Sequence, residues 1–548
     1  MKNLLSIYSV LICCSIMSCT YKADQADLVV HNALIYTLDE NNTVAEAMAI
    51  REGKIIETGP ERQILNKYNA DRTVDAQQKV IYPGFIDPHS HFIGYALSLG
   101  TVNLLGTSSW DEVLQKTLEY SQRNSQKWIT GRGWDQNNWE EKEFPTRQKL
   151  DSLFPDTPVM LKRIDGHAAI VNAKAIEIAG LTPESRIDGG TIGAENGWLT
   201  GLLIDNAMPL VEGFIDETDD STKKKLILKA QENCLERGLS SVCDAGLSFS
   251  DIELLNEMQE KGELKLKVYA MIEDDEANFK HYEASGPIQS ERLTVKAFKF
   301  YADGALGSRG ACLIEPYADV NEDYHGLILI NRDYFNEKLR WCYEHDFQVC
   351  THAIGDSAVR MVLNSYAEVL KGTNDKRWRI EHSQVVHPDD FTLFKEFTII
   401  PSVQPTHATS DMYWAEERLG KERIPYAYNW KQLKEQLGFI PLGTDFPIED
   451  IDPIKTFYSA CIRKDSDKYP QNGFQVESAL SREESLLGIT VWAALANFEE
   501  ESKGSLEIGK DADFVIFDRD ILKIAEDDIL DAKCLGTFIN GEELFSLD

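Results

Sequence analysis

A closed (β/α)8 TIM-type barrel of the α/β class, extended by a small β-sandwich built from both termini, is the fold this sequence predicts. Three observations predict it. Eight short apolar runs recur between residues 80 and 445, separated by stretches that include good helical patterns. Strand-like runs with Gly turns stand at both ends of the chain. Histidines and one aspartate close several of the eight runs, and in such a barrel the C-terminal strand ends carry the chemistry.

The terminal runs come first. "ADLVVHNALIYTLDENNTVAEAMAIREGKIIETGP" near the start and "GSLEIGKDADFVIFDRD" and "CLGTFINGEELF" near the end alternate β-type residues with Asn and Gly turns. A few strands alone rarely bury enough surface, so segments 24–80 and 490–548 are expected to pair into one composite sandwich. The eight runs span 80–89, 240–245, 266–272, 294–301, 347–352, 377–382, 398–403 and 439–445, mostly rich in Val, Ile, Phe and Leu as buried parallel strands require. Stretches such as "STKKKLILKAQENCLERG" and "SAVRMVLNSYAEVLKG" supply the intervening helices. The barrel is therefore assigned to 81–489, with an insertion at about 100–220, where the first gap is too long for a loop.

At 548 residues the chain can bury a large core, and its formal charge of −34, from 56 basic and 90 acidic side chains, would repel polynucleotides and anionic membranes. Nucleic acid is excluded as a partner. Residues 1–19, with Lys2, an apolar run over 4–17 and the ending Ile16-Met17-Ser18-Cys19, form a secretory leader too short for a stable spanning helix. That ending resembles a bacterial lipobox, which predicts an exported lipoprotein facing the periplasm or cell surface, with Cys19 as its lipid anchor and sole membrane attachment; the alternative is an ordinary signal peptide cut nearby. The seven cysteines beyond Cys19 are odd in number and scattered, so they are expected mostly in the core. The sequence leaves the oligomeric state open, with a dimer compatible.

The first barrel run ends in "GFIDPHSHF", with His89 and His91 at i and i+2. Strand side chains alternate faces, so both imidazoles aim at one point. The fifth run ends with His352 in "QVCTHAIGD", the sixth with His382 in "RWRIEHSQ" and the eighth with Asp445 in "IPLGTDFP". Four histidines and an aspartate at four strand ends make a ligand set suited to Zn²⁺. A metal there acidifies water and polarises a carbonyl, while a carboxylate in reach, Asp445, takes the proton.

These motifs, with the terminal "GSLEIGKDADFVIFD", resemble the amidohydrolase superfamily, in the amidohydrolase 3 branch that includes the N-substituted formamide deformylases. The resemblance spans essentially the whole mature chain. It implies metal-dependent hydrolysis of a non-peptide, amide-like C–N bond in a small molecule, with His89, His91, His352, His382 and Asp445 as metal-site residues and Asp445 as the catalytic base. One or two divalent ions per chain are implied, zinc first. It further implies that Lys299, in "TVKAFKFYADGALGSRG", is carbamylated to bridge two metals; otherwise Lys299 is a barrel lysine paired to Asp303.

Within the insertion, "GRGWDQNNW" and "KRIDGHAAIVNAKAI" offer Trp134, Asp135 and His167, which read equally as pocket-mouth residues or as a surface loop and a capped helix. Arg309, after the fourth run, either holds a substrate oxygen or braces its loop. His407 stands just past the seventh run, on the functional face. Two rival functions stay open: the same metal site acting on an ester, lactone or phosphoester, and a non-catalytic metal- or ligand-binding lipoprotein.

Overall fold

The computed structural model describes residues 24–123, 127–216 and 218–547, so the leader and Cys19 lie outside the described residues. The barrel sheet runs β1 (Phe85–Ser90), β2 (Leu239–Leu247), β3 (Lys267–Glu273), β4 (Leu293–Tyr301), β5 (Gln348–Ala353), β6 (Arg379–His382) and β7 (Ile400–Ser402), each parallel to the next. The eighth run, 439–445, forms no regular strand, since Pro441 has no N–H to donate. It nevertheless bridges the ends of the sheet: Leu442 pairs in parallel with Val403, Gly443 N–H donates to Val403 at 2.9 Å, and Asp445 N–H donates to His89 at 2.8 Å. A Cβ on Gly443 would stand 2.9 Å from that of His89, so only glycine lets this segment approach β1 so closely.

The expected first strand, 80–89, is two strands. Val80–Pro83 pairs antiparallel with Phe514–Phe517 in a terminal sheet, and the barrel begins only at Phe85. The break falls at Gly84, where a side chain would meet Ser240 at 2.7 Å. The first assigned barrel residues, 81–83, therefore belong to the terminal sheet.

One terminal sheet has four strands, all N-terminal: Asp24–His31, Ala47–Arg51, Lys54–Gly59 and Tyr68–Asp75. The other has six and mixes both ends of the chain, with Val80–Pro83 next to Phe514–Phe517. Leu28, Met48 and Ile50 of the first share an apolar cluster with Ile35, Ile81, Phe514 and Phe538 of the second. The segment over 491–513 instead sits against the strand starts: Gln348 Nε2 donates to Ala496 at 2.9 Å, Arg379 to Asn497 at 3.0 Å, and Lys267 to Asp511 at 2.7 Å.

Between β1 and β2 a separate six-stranded sheet, from Val102–Asn103 to Trp198–Asp205, is packed by the helix Trp110–Arg123. All seven described cysteines are free, five of them buried. Among the described residues no helix is long and apolar enough to cross a membrane.

Candidate metal centre and active site

The C-terminal ends of β1, β4, β5 and β6 and the segment after residue 441 surround a cavity of about 360 Å³. His91, Lys299, His352, His382 and Asp445 line it, and His89 is fully buried directly behind. His89 Nε2 and His91 Nε2 stand 3.5 and 3.3 Å from Asp445 Oδ1. The sequence thus brings its proposed ligands to one place.

The other ring nitrogens are already committed. His91 Nδ1 donates to the carbonyl of Ala245 at 3.0 Å, His89 Nδ1 to the carboxylate of Glu381, and His382 Nδ1 to Gln404 Oε1 at 2.7 Å. Each Nε2 is left with its lone pair, that of His89 facing Lys299 Nζ at 3.3 Å. Burial, reinforced by the Lys299 charge, lowers His89 to about 4, and burial takes His352 and His382 well below the ordinary imidazole value. Neutral imidazoles are the form a metal binds.

Three buried atoms on this wall, His352 Nε2, His407 Nε2 and Asp445 Oδ1, have no hydrogen-bond partner. A buried acceptor without a donor costs about 1–3 kcal/mol. A cation between His407 Nε2 and Asp445 Oδ1 would satisfy both, whereas His352 belongs to neither close group. Two triads meet the spacing for one, His89 with His91 and Asp445, and His382 with His407 and Asp445. The residues therefore fit a divalent metal.

His382 and Asp445 hold φ of 73° and 65°. These are left-handed conformations that side chains other than glycine rarely adopt, and strain of this kind collects at functional sites.

Behind these side chains lies a second layer. Arg379, fully buried, grips Glu381 through two nitrogens at 2.6 and 3.0 Å and also donates to Pro88 and Ser402. Glu381, held far below the ordinary carboxylate range by that guanidinium against the opposing effect of burial, then fixes the His89 ring. Asp87 accepts from the Thr444 hydroxyl at 2.6 Å and the His89 N–H at 3.1 Å, tying β1 to the Asp445 segment.

Lys299 is fully buried, its Nζ 3.3 Å from His89 Nε2, and burial lowers its pKa. Asp303 is not its partner. That carboxylate accepts the backbone N–H groups of Cys312, Ile354 and Gly355 at 2.8–2.9 Å.

The proposed substrate residues divide. Asp135 and His167 line the cavity: Asp135 pairs with Arg163, and His167 Nδ1 bonds Asp205 at 2.7 Å with its ring 5.3 Å from that of His352. Trp134 and Arg309 do not line it. Trp134 is fully buried in the core of the insertion, its Nε1 donating to Leu161 at 2.8 Å. A bulge at Gly133, φ 119°, turns Trp134 off the face that Arg132 occupies. Arg309 pairs with Asp319 at 2.7 Å and braces its own loop.

His407 joins the centre, its Nε2 3.6 Å from Asp445 Oδ2, as its place past the seventh run allowed. Glu381, Gln404 and Arg132 carried no spacing signal; strand alternation would set Glu381 on the face opposite His382, but with His382 at φ 73° both reach His89.

A family model described as the amidohydrolase family matches residues 72–545. The chain is 32% identical over 540 residues to Protein LONG AFTER FAR-RED 3 of Arabidopsis thaliana, covering 95% of this chain and 92% of that one. It is 24% identical over 541 residues to the N-substituted formamide deformylase of Arthrobacter pascens, covering 94% and 97%. Among solved structures, an uncharacterized metal-dependent hydrolase from Pyrococcus horikoshii superposes with a TM-score of 0.75 at 28% identity, over 91% of this chain and 99% of that chain. With a donor set that fits a divalent cation at the mouth of a parallel barrel, and a match across most of its length, the chain belongs to the amidohydrolase family of metal-dependent hydrolases.

Proposed function

We propose that the protein hydrolyses an amide-like C–N bond of a small molecule, with one or two divalent ions, zinc first, held by His89, His91, His352, His382 and Asp445. The observation that carries this is the set of unpartnered buried acceptors, His352 Nε2, His407 Nε2 and Asp445 Oδ1, on the wall of the cavity. The likeness to a formamide deformylase supports the C–N bond. Two triads that share Asp445 support two ions, with His407 as an additional ligand. The burial of Lys299 and its approach to His89 support a carbamylated form.

A bound divalent ion supplies Lewis acidity toward the carbonyl and lowers the pKa of water. Asp445 takes the proton of the attacking water and returns it to the departing nitrogen. Glu381 and Arg379 keep the His89 ring in place, and the cavity limits the reacting end to a small group. We also infer export with an anchor at Cys19, for which the apolar leader is the support; metabolic labelling with a lipid precursor, lost in Cys19→Ala, tests it.

The first test uses protein lacking residues 1–19. Elemental analysis should find one or two metals per chain, lost in His89→Ala, and the loaded protein should cleave N-formyl and N-acyl amines faster than esters, lactones or phosphoesters. Metal without turnover of any amide would overturn the hydrolytic reading, and no metal would overturn the centre.

A further inference from the structure

A second cavity, of about 770 Å³, opens beside the first, and Arg132, Ile164, Ile448 and Glu449 line both. Tyr95, Leu99, Val102, Leu105 and Ile451 give it an apolar wall. Leu99 and Leu105 are 37% and 42% exposed, apolar surface turned toward a concavity that a ligand can cover. Its basic residues other than Arg132 are matched: Arg237 meets Asp452 at 3.3 Å and Lys455 meets Asp450 at 2.6 Å.

Arg132, at the waist between the cavities, is not matched. Its Nε and Nη2 share one acceptor, the carbonyl of Ile164, at 3.3 and 3.0 Å, and among the described residues it forms no ion pair. The buried arginines of this face contrast with it: Arg163 has Asp135 and Asp165, and Arg418 has Asp319. Arg132 is only partly buried, and its guanidinium keeps its charge at the waist. Its remaining donors, on a wall shared by both cavities, are open to an anion.

We infer that Arg132 anchors a carboxylate of the substrate, whose cleavable amide lies in the first cavity and whose apolar arm enters the second. This rests on the hydrolytic reading above. One unpaired cation matches the single charge of a carboxylate, whereas a phosphate monoester brings nearly two to a chain already at −34. Glu449, the acidic residue of the waist, accepts from the Ser410 hydroxyl at 2.6 Å and forms no ion pair with Arg132. Hydrolysis of such a substrate adds one water across the C–N bond and releases a carboxylic acid and an amine that still bears the anchored carboxylate.

The test is calorimetric, on the metal-loaded protein lacking residues 1–19, with N-acetylphenylalanine, its carboxamide, and N-acetylglycine as probes. A charge-assisted fork is worth about tenfold or more in affinity. The acid should therefore bind about tenfold tighter than the carboxamide, and N-acetylglycine, which lacks the arm, should bind more weakly than N-acetylphenylalanine. Arg132→Gln should erase the preference for the acid, Glu449→Gln should keep it, and Arg132→Lys, which keeps charge without the fork, should retain part of it and serve if the Gln variant does not fold. Equal binding of acid and carboxamide by the wild type overturns the inference, and so does a preference that survives in Arg132→Gln, because the carboxylate is then held elsewhere, as on the metal. Discrimination at Arg132 without turnover of any amide would remove the hydrolytic reading and leave the anion site. Turnover of uncharged amides with no such discrimination would do the reverse.

Discussion

The two ends of the barrel treat buried charge in opposite ways. Under the strand starts, Lys267 is fully buried and meets Asp511 at 2.7 Å and Asp513 at 2.6 Å, while Gln348 and Arg379 are bonded to the segment that crosses beneath. At the strand ends, His352 Nε2, His407 Nε2 and Asp445 Oδ1 are just as buried and bond to nothing. The base pairs its buried cations, with Glu499 Oε2 its one unpartnered carboxylate oxygen among the described residues of the crossing segment, whereas at the mouth three unpartnered atoms share one cavity. Native proteins pair nearly all buried polar groups, and a cluster of unpaired ones on a cavity wall fits a site that a ligand completes.

The difference is broken most severely at the mouth. Asp445→Asn keeps the shape and removes the proposed proton carrier and a ligand shared by both triads, so kcat at saturating metal should fall by about 10³-fold and metal affinity should fall with it. Steady-state kinetics with metal content measured in parallel checks it; an active Asn variant would remove Asp445 from proton transfer. Lys267→Met is the counterpart at the base. It leaves two buried carboxylates facing each other and should cost about 3–5 kcal/mol of stability in chemical denaturation, with activity per folded molecule unchanged.

Asp87 sharpens the contrast through pH. Burial pushes its carboxyl from the ordinary 3.8 up to about 7. Because the folded protein holds this proton more tightly than the unfolded chain, the contribution to stability is fully present below about pH 4 and is lost as pH rises through about 7, at roughly 1.4 kcal/mol per unit crossed. Denaturation at pH 5 and pH 8 should show Asp87→Asn gaining on the wild type at the higher value. Glu381→Gln acts on the layer between base and mouth. Losing a charged partner of His89 should weaken metal affinity by about 10- to 100-fold, read by competition with a chelator, with a smaller effect on kcat at saturating metal.

The convergence of the proposed ligands was legible because a period-2 pattern at His89 and His91 and the strand-end rule for His352, His382 and Asp445 set where they sit, whatever the helices between them do. The eighth run was legible as a position but not as an element, since Pro441 and Gly443 trade ladder bonds for close approach to β1. The split at Gly84 was invisible, because one apolar run serves two sheets and only the contact with Ser240 shows where it divides. Arg309 answered to Asp319, ten residues downstream in a loop with no periodic pattern. Arg132 went unremarked for a similar reason: an unpaired cation is defined by what fails to reach it, which no spacing records.

Trp134 gives the smallest effect and the cleanest separation of core from cavity within one strand. In Ile129–Trp134, side chains at even positions would share a face, and Arg132 does reach the cavity. The irregularity at Gly133 inverts the next residue, so Trp134 packs 6.0 Å from Trp139 and bonds Leu161, while Asp135 returns to the cavity wall. Trp134→Phe keeps most of the packing and removes the Nε1 donor, leaving the Leu161 carbonyl short of one bond. The expected cost is about 1–2 kcal/mol of stability with KM unchanged, whereas Asp135→Asn, one residue on, should move KM by loosening Arg163 and leave stability nearly as it was. If Trp134→Phe instead raised KM without lowering stability, the bulge would not be separating the two faces, and the division between a satisfied interior and an unsatisfied mouth would fail at the one place where adjacent residues embody both.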